Sequence, residues 1–335
     1  MRRISQLVLL LSLIGACASV GGPRQFPGLG PRPAECPEEL RPFLGEYGVY
    51  GEGESGLLVY EDGGRLQVVL PDGEHALLDE LGLEFLHDMD GRVAVVLLGD
   101  RFLTRRRMLD EGENFRIEPV QPVGELRAMA MAATPPVEEG VLRESDLVEV
   151  LAEDRRLHLN IRYAGRDNFM GSPFYEEGRA YLQRSAAEAL IRVHDRLLEQ
   201  GYGLLIYDGY RPWHVTRMFW DGVPERYRDF VADPSRGSRH NRGCAVDLTL
   251  CHPVNGKPVS MVSGFDEFEA LASPDYPGGT SLQRWHRDLL RAAMEAEGFQ
   301  VYRNEWWHFD YDGWEQYPLL NKRFVEIYWP YSDSF

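Results

Sequence analysis

Two histidines, an aspartate and a glutamate in the last third of the chain are of the types that hold a metal ion and move protons. His240 and Asp247 lie close together in sequence, and Glu305 and His308 flank two tryptophans. A catalytic zinc site typically takes three protein ligands and keeps a fourth position for water. His240, Asp247 and His308 are therefore the candidate ligands. Glu305 is the candidate base that activates the water.

Asp247 stands in an apolar run that predicts a buried strand over 245–250, entered through Gly243. Alone, a histidine and an aspartate at this spacing also fit a capped loop or a solvated strand. A carboxylate inside a buried strand, however, is costly unless it is paired or binds a metal. Because His240 lies in the loop that enters the strand, the two side chains can converge on one point.

Glu305 and His308 lie at the start of another predicted strand, over 307–311. A surface glutamate and a core histidine are the plain alternative. Residues three apart on a regular strand face opposite sides of the sheet, so the strand must begin irregularly if both are to reach one site. The intervening Trp306 and Trp307 would exclude solvent and raise the basicity of Glu305.

Arg211 follows the segment 207–210 (YDGY) and precedes Pro212. At the start of a helix, predicted over 211–220, an arginine commonly pairs with an acid. Alternatively, a fixed guanidinium beside the metal would stabilise charge on the oxygen of an attacked carbonyl. Both roles stay open at this point.

The overall charge argues against a nucleic-acid partner. The chain of 335 residues carries 36 basic and 53 acidic residues, a formal net charge of −17, whereas phosphate binding needs a basic surface. Apolar residues make up 44% of the chain, which is enough for globular cores. The length suggests about two domains.

The N-terminus predicts export. Two arginines precede an apolar run over 7–14 that is too short to span a bilayer. The small residues before Cys17 resemble a bacterial lipoprotein signal over 1–16, with Cys17 as the lipidated residue. An ordinary secretory signal with an incidental cysteine is the alternative. Residues 17–40, rich in proline and glycine, predict a tether, so we expect a periplasmic or cell-surface lipoprotein that touches the membrane only through its anchor.

Three cysteines remain if Cys17 is lipidated: Cys36, Cys244 and Cys251. An odd number cannot form a complete disulfide framework. On a continuous strand Cys244 and Cys251 would be too far apart to bond, whereas a turn between them would allow a disulfide. None has a CxxC partner, which argues against thiolate metal ligands.

Short apolar runs separated by Asp-Gly turns predict a small β-rich domain of unknown role over 41–127. A linker with two prolines is predicted over 128–140, and a second domain over 141–335. We predict an α+β fold for the second domain, with a small mixed or antiparallel sheet flanked by helices. The predicted helices cover 183–200, 211–220 and 282–297, and the predicted strands cover 203–207, 245–250, 299–303 and 307–311.

Residues 150–330 resemble the zinc D-alanyl-D-alanine dipeptidases, the branch of D-Ala-specific metallopeptidases that includes the vancomycin-resistance dipeptidases. The resemblance covers the C-terminal domain and none of the β-rich domain. It departs at Cys244, where a smaller residue is usual, and the family's minimal pattern has neither the β-rich domain nor the lipid signal. The matching segments are 202–205 with 208–212, 238–250, 305–308, Tyr163 with 167–169, and 264–266.

The resemblance implies one zinc ion per chain, held by the three candidate ligands, with Glu305 as the base. Arg211 would polarise the scissile carbonyl. Asp266 and Tyr163 would bind the amine of the substrate, and Ser238 its carboxylate end. As alternatives, Asp266 also fits a loop or helix cap, Tyr163 fits core packing, and Ser238 fits a turn.

The resemblance therefore implies zinc-dependent hydrolysis of the dipeptide D-Ala-D-Ala, a building block of peptidoglycan. One rival is a D,D- or L,D-carboxypeptidase that acts on peptidoglycan stem peptides, with the same metal site and a cleft open on the amine side. Another is a non-catalytic zinc-containing module that binds the cell wall. Such modules lack the base or the arginine, and both Glu305 and Arg211 are present here.

Overall fold

The computed structural model describes residues 26–49, 56–106 and 114–328. The predicted signal peptide and Cys17 lie outside these ranges. Within the described part of the chain, no helix combines the length and the apolar character needed to cross a membrane. The described residues form a β-rich N-terminal part and a C-terminal part that mixes helices and strands.

The strands and helices of both parts are numbered in chain order, and the strands of the N-terminal part all precede the first α-helix. The strands are β1 (Gly45–Gly48), β2 (Leu57–Asp62), β3 (Arg65–Val69), β4 (His75–Leu77), β5 (Glu84–His87), β6 (Val93–Leu98), β7 (Arg101–Arg105), β8 (Leu147–Glu149), β9 (His158–Leu159), β10 (Tyr181–Gln183), β11 (Gly203–Asp208), β12 (Ala245–Cys251), β13 (Phe299–Tyr302) and β14 (Glu305–Tyr311). The α-helices are α1 (Val123–Ala132), α2 (Val150–Glu153), α3 (Arg184–Glu199), α4 (Trp213–Gly222), α5 (Ser281–Glu295) and α6 (Phe324–Tyr328).

Strands β1 to β7, which we call the β domain, form one antiparallel sheet in the order β4-β3-β2-β1-β7-β6-β5. Between β2 and β3, Gly63 and Gly64 have positive φ values of 58° and 79°, which glycine adopts without steric cost. Apolar side chains bury a small core around Tyr47, Val59 and Val96. The Asp-Gly signals in the sequence therefore mark real hairpin turns.

The C-terminal sheet has the order β13-β14-β12-β11-β9. Strand β9 runs parallel to β11, and the other neighbours pair antiparallel. Every residue of β11 and β12 is buried. Helix α3 contacts β11, and α5 contacts β12, β13 and β14. The predicted α+β class is therefore confirmed.

The two long helices follow the predicted bounds closely. Gly201, with a φ of 84°, follows the last turn of α3, and a capping box between Thr280 and Gln283 starts α5. Helix α4 begins at Trp213 rather than at the predicted residue 211. The reason is Pro212, which disfavours the helical conformation in the residue before it.

The predicted linker over 128–140 is wrong in its first part. Residues 128–132 belong to α1, which buries Leu126 and Ala130 and contacts α4. The chain before α1 also packs on the C-terminal part, because Ile117 N donates to the carbonyl oxygen of Phe169 at 2.8 Å. Residues ahead of the predicted boundary therefore already pack on the C-terminal part.

The predicted tether over 17–40 is also packed against the protein from residue 26 onward. Phe26 is buried in the main core, and Trp285 of α5 donates its indole N–H to the Gly30 carbonyl oxygen at 2.9 Å. The Arg32 side chain donates to the Tyr202 hydroxyl at 3.1 Å. The proline and glycine content had suggested a free linker, but these contacts hold it along α5.

Cys36, Cys244 and Cys251 are free, buried thiols. Cys244 directly precedes β12 and Cys251 ends it, so the two sulfurs lie at opposite ends of one continuous strand. The sequence had left a disulfide between them open, and it does not form. Burial raises the pKa of each of these two thiols to about 12, so neither provides a thiolate.

His194 of α3 is a buried polar residue that the site does not use. Its side chain is fully buried, and neither ring nitrogen has a hydrogen-bond partner among the described residues. Burial lowers the pKa of His194 below its ordinary value. The unfolded chain therefore binds a proton at His194 more readily than the folded chain does, and this residue makes stability fall as the pH drops below about 6.5.

We expect His194→Leu to stabilise the fold. An unpaired buried polar group costs about 1–3 kcal/mol, and the leucine removes both this cost and the proton uptake on unfolding. Thermal unfolding of the two proteins at pH 7 and pH 5 measures the effect, which should be larger at pH 5. Exposed His87→Gln is the control. A variant less stable than the wild type at both pH values would contradict this account.

Candidate active site

Two neighbouring strands hold two of the predicted ligands side by side. In the antiparallel pairing of β12 and β14, Asp247 lies directly opposite His308. Opposed residues point to the same face of a sheet, and Asp247 Oδ1 comes within 3.0 Å of His308 Nδ1. Strand pairing thus brings together side chains that are far apart in the chain.

The third predicted ligand reaches the pair from a 3-10 turn at His240–Arg242. Gly243 ends this turn with a left-handed φ of 67°, a conformation that favours glycine. His240 Nε2 lies 3.1 Å from His308 Nδ1 and 3.3 Å from Asp247 Oδ1. The three ligand atoms all lie within 4.8 Å of one another, as a single metal site requires.

The other nitrogen of each imidazole has its own acceptor. His240 Nδ1 lies 2.7 Å from the Gly209 carbonyl oxygen, and His308 Nε2 lies 3.0 Å from Asp310 Oδ1. These acceptors take the N–H groups of the outer nitrogens, so the inner nitrogens are the ones that would bind a metal ion. Burial opposes a charge on His308, but the Asp310 and Asp247 carboxylates raise its pKa to about 10. The site therefore attracts positive charge.

Asp247 provides the test of whether a cation fits. Its Oδ1 atom is buried, accepts no hydrogen bond from the described residues and faces the two imidazole nitrogens. A buried oxygen without a partner is costly unless an ion binds there. Burial would raise the pKa of Asp247, but His240 and His308 hold it well below its ordinary value. Two imidazoles and an ionised carboxylate suit zinc.

Glu305 begins β14 at an irregular point of the sheet. The register between β13 and β14 shifts after Val301, so that Glu305 pairs with Tyr302. This irregular start lets Glu305 Oε2 approach His308 Nδ1 to 3.9 Å, on the same side as the ligand. Burial raises the pKa of Glu305 to about 8, and a cation at the ligand atoms would lower it again.

Arg211 is held beside the ligands by a carboxylate that the sequence did not single out. Asp208 Oδ2 accepts a hydrogen bond from Arg211 Nε at 2.9 Å, and Asp208 Oδ1 accepts one from the Tyr175 hydroxyl at 2.8 Å. Arg211 Nη2 lies 3.5 Å from Asp247 Oδ2. The guanidinium both pairs with an acid and lines the cleft, so the two predicted roles are compatible.

Asp266 and Tyr163 meet in a buried part of the cleft. The Tyr163 hydroxyl donates to the Asp266 carboxylate, with distances of 3.1 and 2.9 Å to its two oxygens. Asp266 has a φ of 58°, and such strained positions cluster at functional sites. Burial raises the pKa of Asp266 well above its usual range, so an ammonium group arriving there would stabilise the charged carboxylate.

Ser238 also lines the cleft. Its Oγ accepts a hydrogen bond from His240 N at 3.2 Å, and its own N–H donates to Asn241 Oδ1 at 2.8 Å. These contacts stabilise the turn that carries His240. The hydroxyl can still donate a hydrogen bond into the cleft, so its contact with a substrate carboxylate stays a prediction.

The cleft has a volume of about 630 Å³, including the part open to solvent.

Among the residues that the sequence analysis missed, Asp310 could have been found. Residues two apart on a strand share a face, and His308 was already a candidate. Phe230 and Phe268 had no such signal. Their rings stack at 5.1 Å, yet Phe230 ends a 3-10 helix and Phe268 lies in a loop, and only the tertiary fold brings the two together.

A comparison with protein families matches this region. The M15 peptidase family model, described as D-ala-D-ala dipeptidase, matches residues 143–328, which is more than half of the chain. The chain belongs to the D-Ala-D-Ala dipeptidase family. All the site residues described above lie inside the matched region of this family member, and the β domain lies outside it.

Three curated proteins, each named D-alanyl-D-alanine dipeptidase, are similar to this family member. That of Escherichia coli K12 is 34% identical over 180 residues, covering 54% of this chain and 92% of the relative. That of Enterococcus faecalis V583 is 33% identical over 205 residues, covering 54% and 96%, and that of Enterococcus faecium is 36% identical over 166 residues, covering 44% and 82%. The family places the chain among the metallopeptidases, for which zinc dependence is a shared property.

Asp310→Ala should weaken metal binding at this site. Loss of a carboxylate that orients a metal-binding histidine typically costs about 10- to 100-fold in affinity. Zinc affinity, measured by competition with a chelating dye, gives the effect without any assay of activity. Asp312→Ala, at an exposed carboxylate two residues further on, is the matched control. Equal affinities in the wild type and Asp310→Ala would show that Asp310 does not support His308.

Proposed function

We propose that this protein hydrolyses the dipeptide D-Ala-D-Ala with one zinc ion bound per chain. The observation that carries the proposal is the convergence of three ligand atoms within 4.8 Å, with a buried glutamate and a buried arginine beside them. Relatives named for this activity share 33–36% identity over the same region.

His240, Asp247 and His308 would hold the zinc ion. Two nitrogens and one carboxylate oxygen leave a fourth position of a tetrahedral site open. Zinc bound there supplies a Lewis acid that polarises the scissile carbonyl and lowers the pKa of a water molecule. The outer contacts of the two imidazoles, to Gly209 and Asp310, keep their unprotonated nitrogens aimed at this point.

Glu305 is the residue placed to move the proton. As general base it takes a proton from the attacking water while the new C–O bond forms, and as general acid it gives that proton to the amide nitrogen as the C–N bond breaks. Trp306 and Trp307 are buried beside it and keep bulk water away. Burial raises the pKa of Glu305, which makes it a stronger base than an exposed glutamate.

Arg211 is the donor for the carbonyl oxygen as negative charge develops on it. Asp208 and, through it, Tyr175 hold the guanidinium in place before substrate arrives. The guanidinium also lies over the Phe219 ring, 4.9 Å from its centre. A donor fixed in advance stabilises the transition state without having to reorganise.

Asp266 and Tyr163 would bind the free amine, and Ser238 the carboxylate end. A buried carboxylate favours a substrate that brings an ammonium group, because a blocked amine would leave the carboxylate without a partner. This favours the free dipeptide over peptides linked to the cell wall. The carboxypeptidase alternative needs a cleft that tolerates an acylated amine at the same place.

The zinc-loaded protein should cleave D-Ala-D-Ala at least about 100-fold more efficiently than N-acetyl-D-Ala-D-Ala, because binding sites built for a polar group strongly reject analogues that lack it. The measurement is kcat/KM from released D-alanine for both peptides. Cleavage of the acetylated peptide alone would overturn the dipeptidase proposal and support the carboxypeptidase.

Glu305→Ala is the control for this experiment. It removes the proton carrier and should abolish turnover while the zinc content stays at one ion per chain. If the zinc-loaded wild type cleaves neither peptide, the non-catalytic binding module becomes the better account.

We also propose that the chain is exported and anchored through Cys17. The support is the basic start, the short apolar run and the small residues before that cysteine. A lipid at Cys17 would hold the enzyme at a membrane surface outside the cytoplasm.

In a bacterial host, the wild type should incorporate a labelled fatty acid and sediment with membranes. Cys17→Ala should lose the label and the membrane association, because the thiol is the attachment point. Cys36→Ala serves as the matched control and should keep both. Label retained in Cys17→Ala would contradict the anchor.

A further inference from the structure

The β domain contacts the segment of the peptidase that carries Asp266. We call residues 264–280 the Asp266 segment. Its first part lines the cleft through Asp266 and Phe268, and its last residue, Thr280, caps the N-terminus of α5. The family match begins at residue 143, so the contact with the β domain lies outside what the family shares.

The contact joins the end of β2 to the end of the Asp266 segment. Glu61 is only 2% exposed, and its Oε2 accepts a hydrogen bond from Ser281 N at 2.8 Å. Its backbone N–H donates to the Gly279 carbonyl oxygen at 3.1 Å. A carboxylate at a helix N-terminus is stabilised by the helix dipole, so Glu61 ties the β domain to the start of α5.

Arg284 of α5 also takes part in this contact. Its Nη2 donates to the Glu61 carbonyl oxygen at 2.9 Å and lies 3.2 Å from Asp62 Oδ1. Its Nη1 donates to the Gly279 carbonyl oxygen at 3.2 Å. One guanidinium therefore holds the end of β2 and the end of the Asp266 segment together.

We propose that the β domain braces the Asp266 segment and thereby sets the affinity of the site for the ammonium group of the substrate. Asp266 has a left-handed backbone conformation, which persists only where the surroundings impose it. The contacts of Glu61 and Arg284 fix the segment at its end. Both are positioning residues, since they touch the end of the segment and not the substrate, and the proposal rests on the proposed dipeptidase function.

Glu61→Ala should loosen the segment. Amide hydrogen exchange of the zinc-loaded, substrate-free protein should be faster across 264–280 and unchanged in β12, because only the first is tied to Glu61. In turnover of D-Ala-D-Ala, KM should rise about ten-fold, the scale of one lost hydrogen bond to a charged group. We expect kcat to change less than about two-fold, since the metal ligands and Glu305 are not moved.

Three further variants make the test specific. Glu61→Gln keeps an acceptor for Ser281 and should recover part of the affinity. Arg284→Gln removes the guanidinium that joins the Glu61 and Gly279 carbonyl oxygens and should act in the same direction, which keeps the test available if Glu61→Ala does not fold. Glu84→Ala, at an exposed position of β5, should leave exchange and KM unchanged.

Unchanged exchange across 264–280 in both Glu61→Ala and Arg284→Gln would overturn the brace. So would a fall in kcat together with loss of zinc, since that result means general unfolding. The exchange experiment needs no substrate, so a wild type that fails to cleave D-Ala-D-Ala would defeat the proposed function and leave the brace to be judged by exchange alone.

Discussion

The active site depends on the meeting of a buried carboxylate with two imidazole rings. Asp247 Oδ1 lies 3.0 Å from His308 Nδ1 and 3.3 Å from His240 Nε2, and the other nitrogen of each ring has its own acceptor, the Gly209 carbonyl oxygen or Asp310. Three ligand atoms this close in a buried place repel one another unless a proton or a metal ion lies between them. The pairing of β12 with β14 and the turn at Gly243 impose this arrangement, so the fold builds a site for a cation.

The residues around the three ligands hold the other reactive groups beside the metal site. Asp208 fixes Arg211, the irregular start of β14 aims Glu305, and the strained backbone at Asp266 places a carboxylate for the substrate amine. Each of these groups is buried and ionisable, so its position and charge depend on the partners that surround it. The contact between the β domain and the Asp266 segment extends this support beyond the part of the chain that the family shares.

Much of the site could be predicted from the sequence, because its signals are local. An aspartate inside an apolar strand, a histidine just before a glycine turn and a glutamate three residues before a histidine each violate an expectation for structural residues. The helices α3 and α5 could be predicted equally well, because each combines an apolar face with residues that cap or end a helix. Proline and glycine content suggested a free tether, but its residues 26–32 pack on the folded protein. The linker prediction failed over 128–132, because α1 buries only Leu126 and Ala130 and so gives little periodic signal. Asp208, Phe230 and Phe268 could not be predicted, because their roles arise from contacts between segments distant in sequence.

The most direct test is a structure of the zinc-loaded protein in which the metal is located by its anomalous scattering. The account predicts one zinc ion bound by His240 Nε2 and His308 Nδ1 at about 2.0–2.1 Å and by Asp247 at about 2.0–2.2 Å, with Glu305 near the ion but not bound to it. A zinc ion that lacks any of these three ligands, or that binds elsewhere in the chain, would contradict the account.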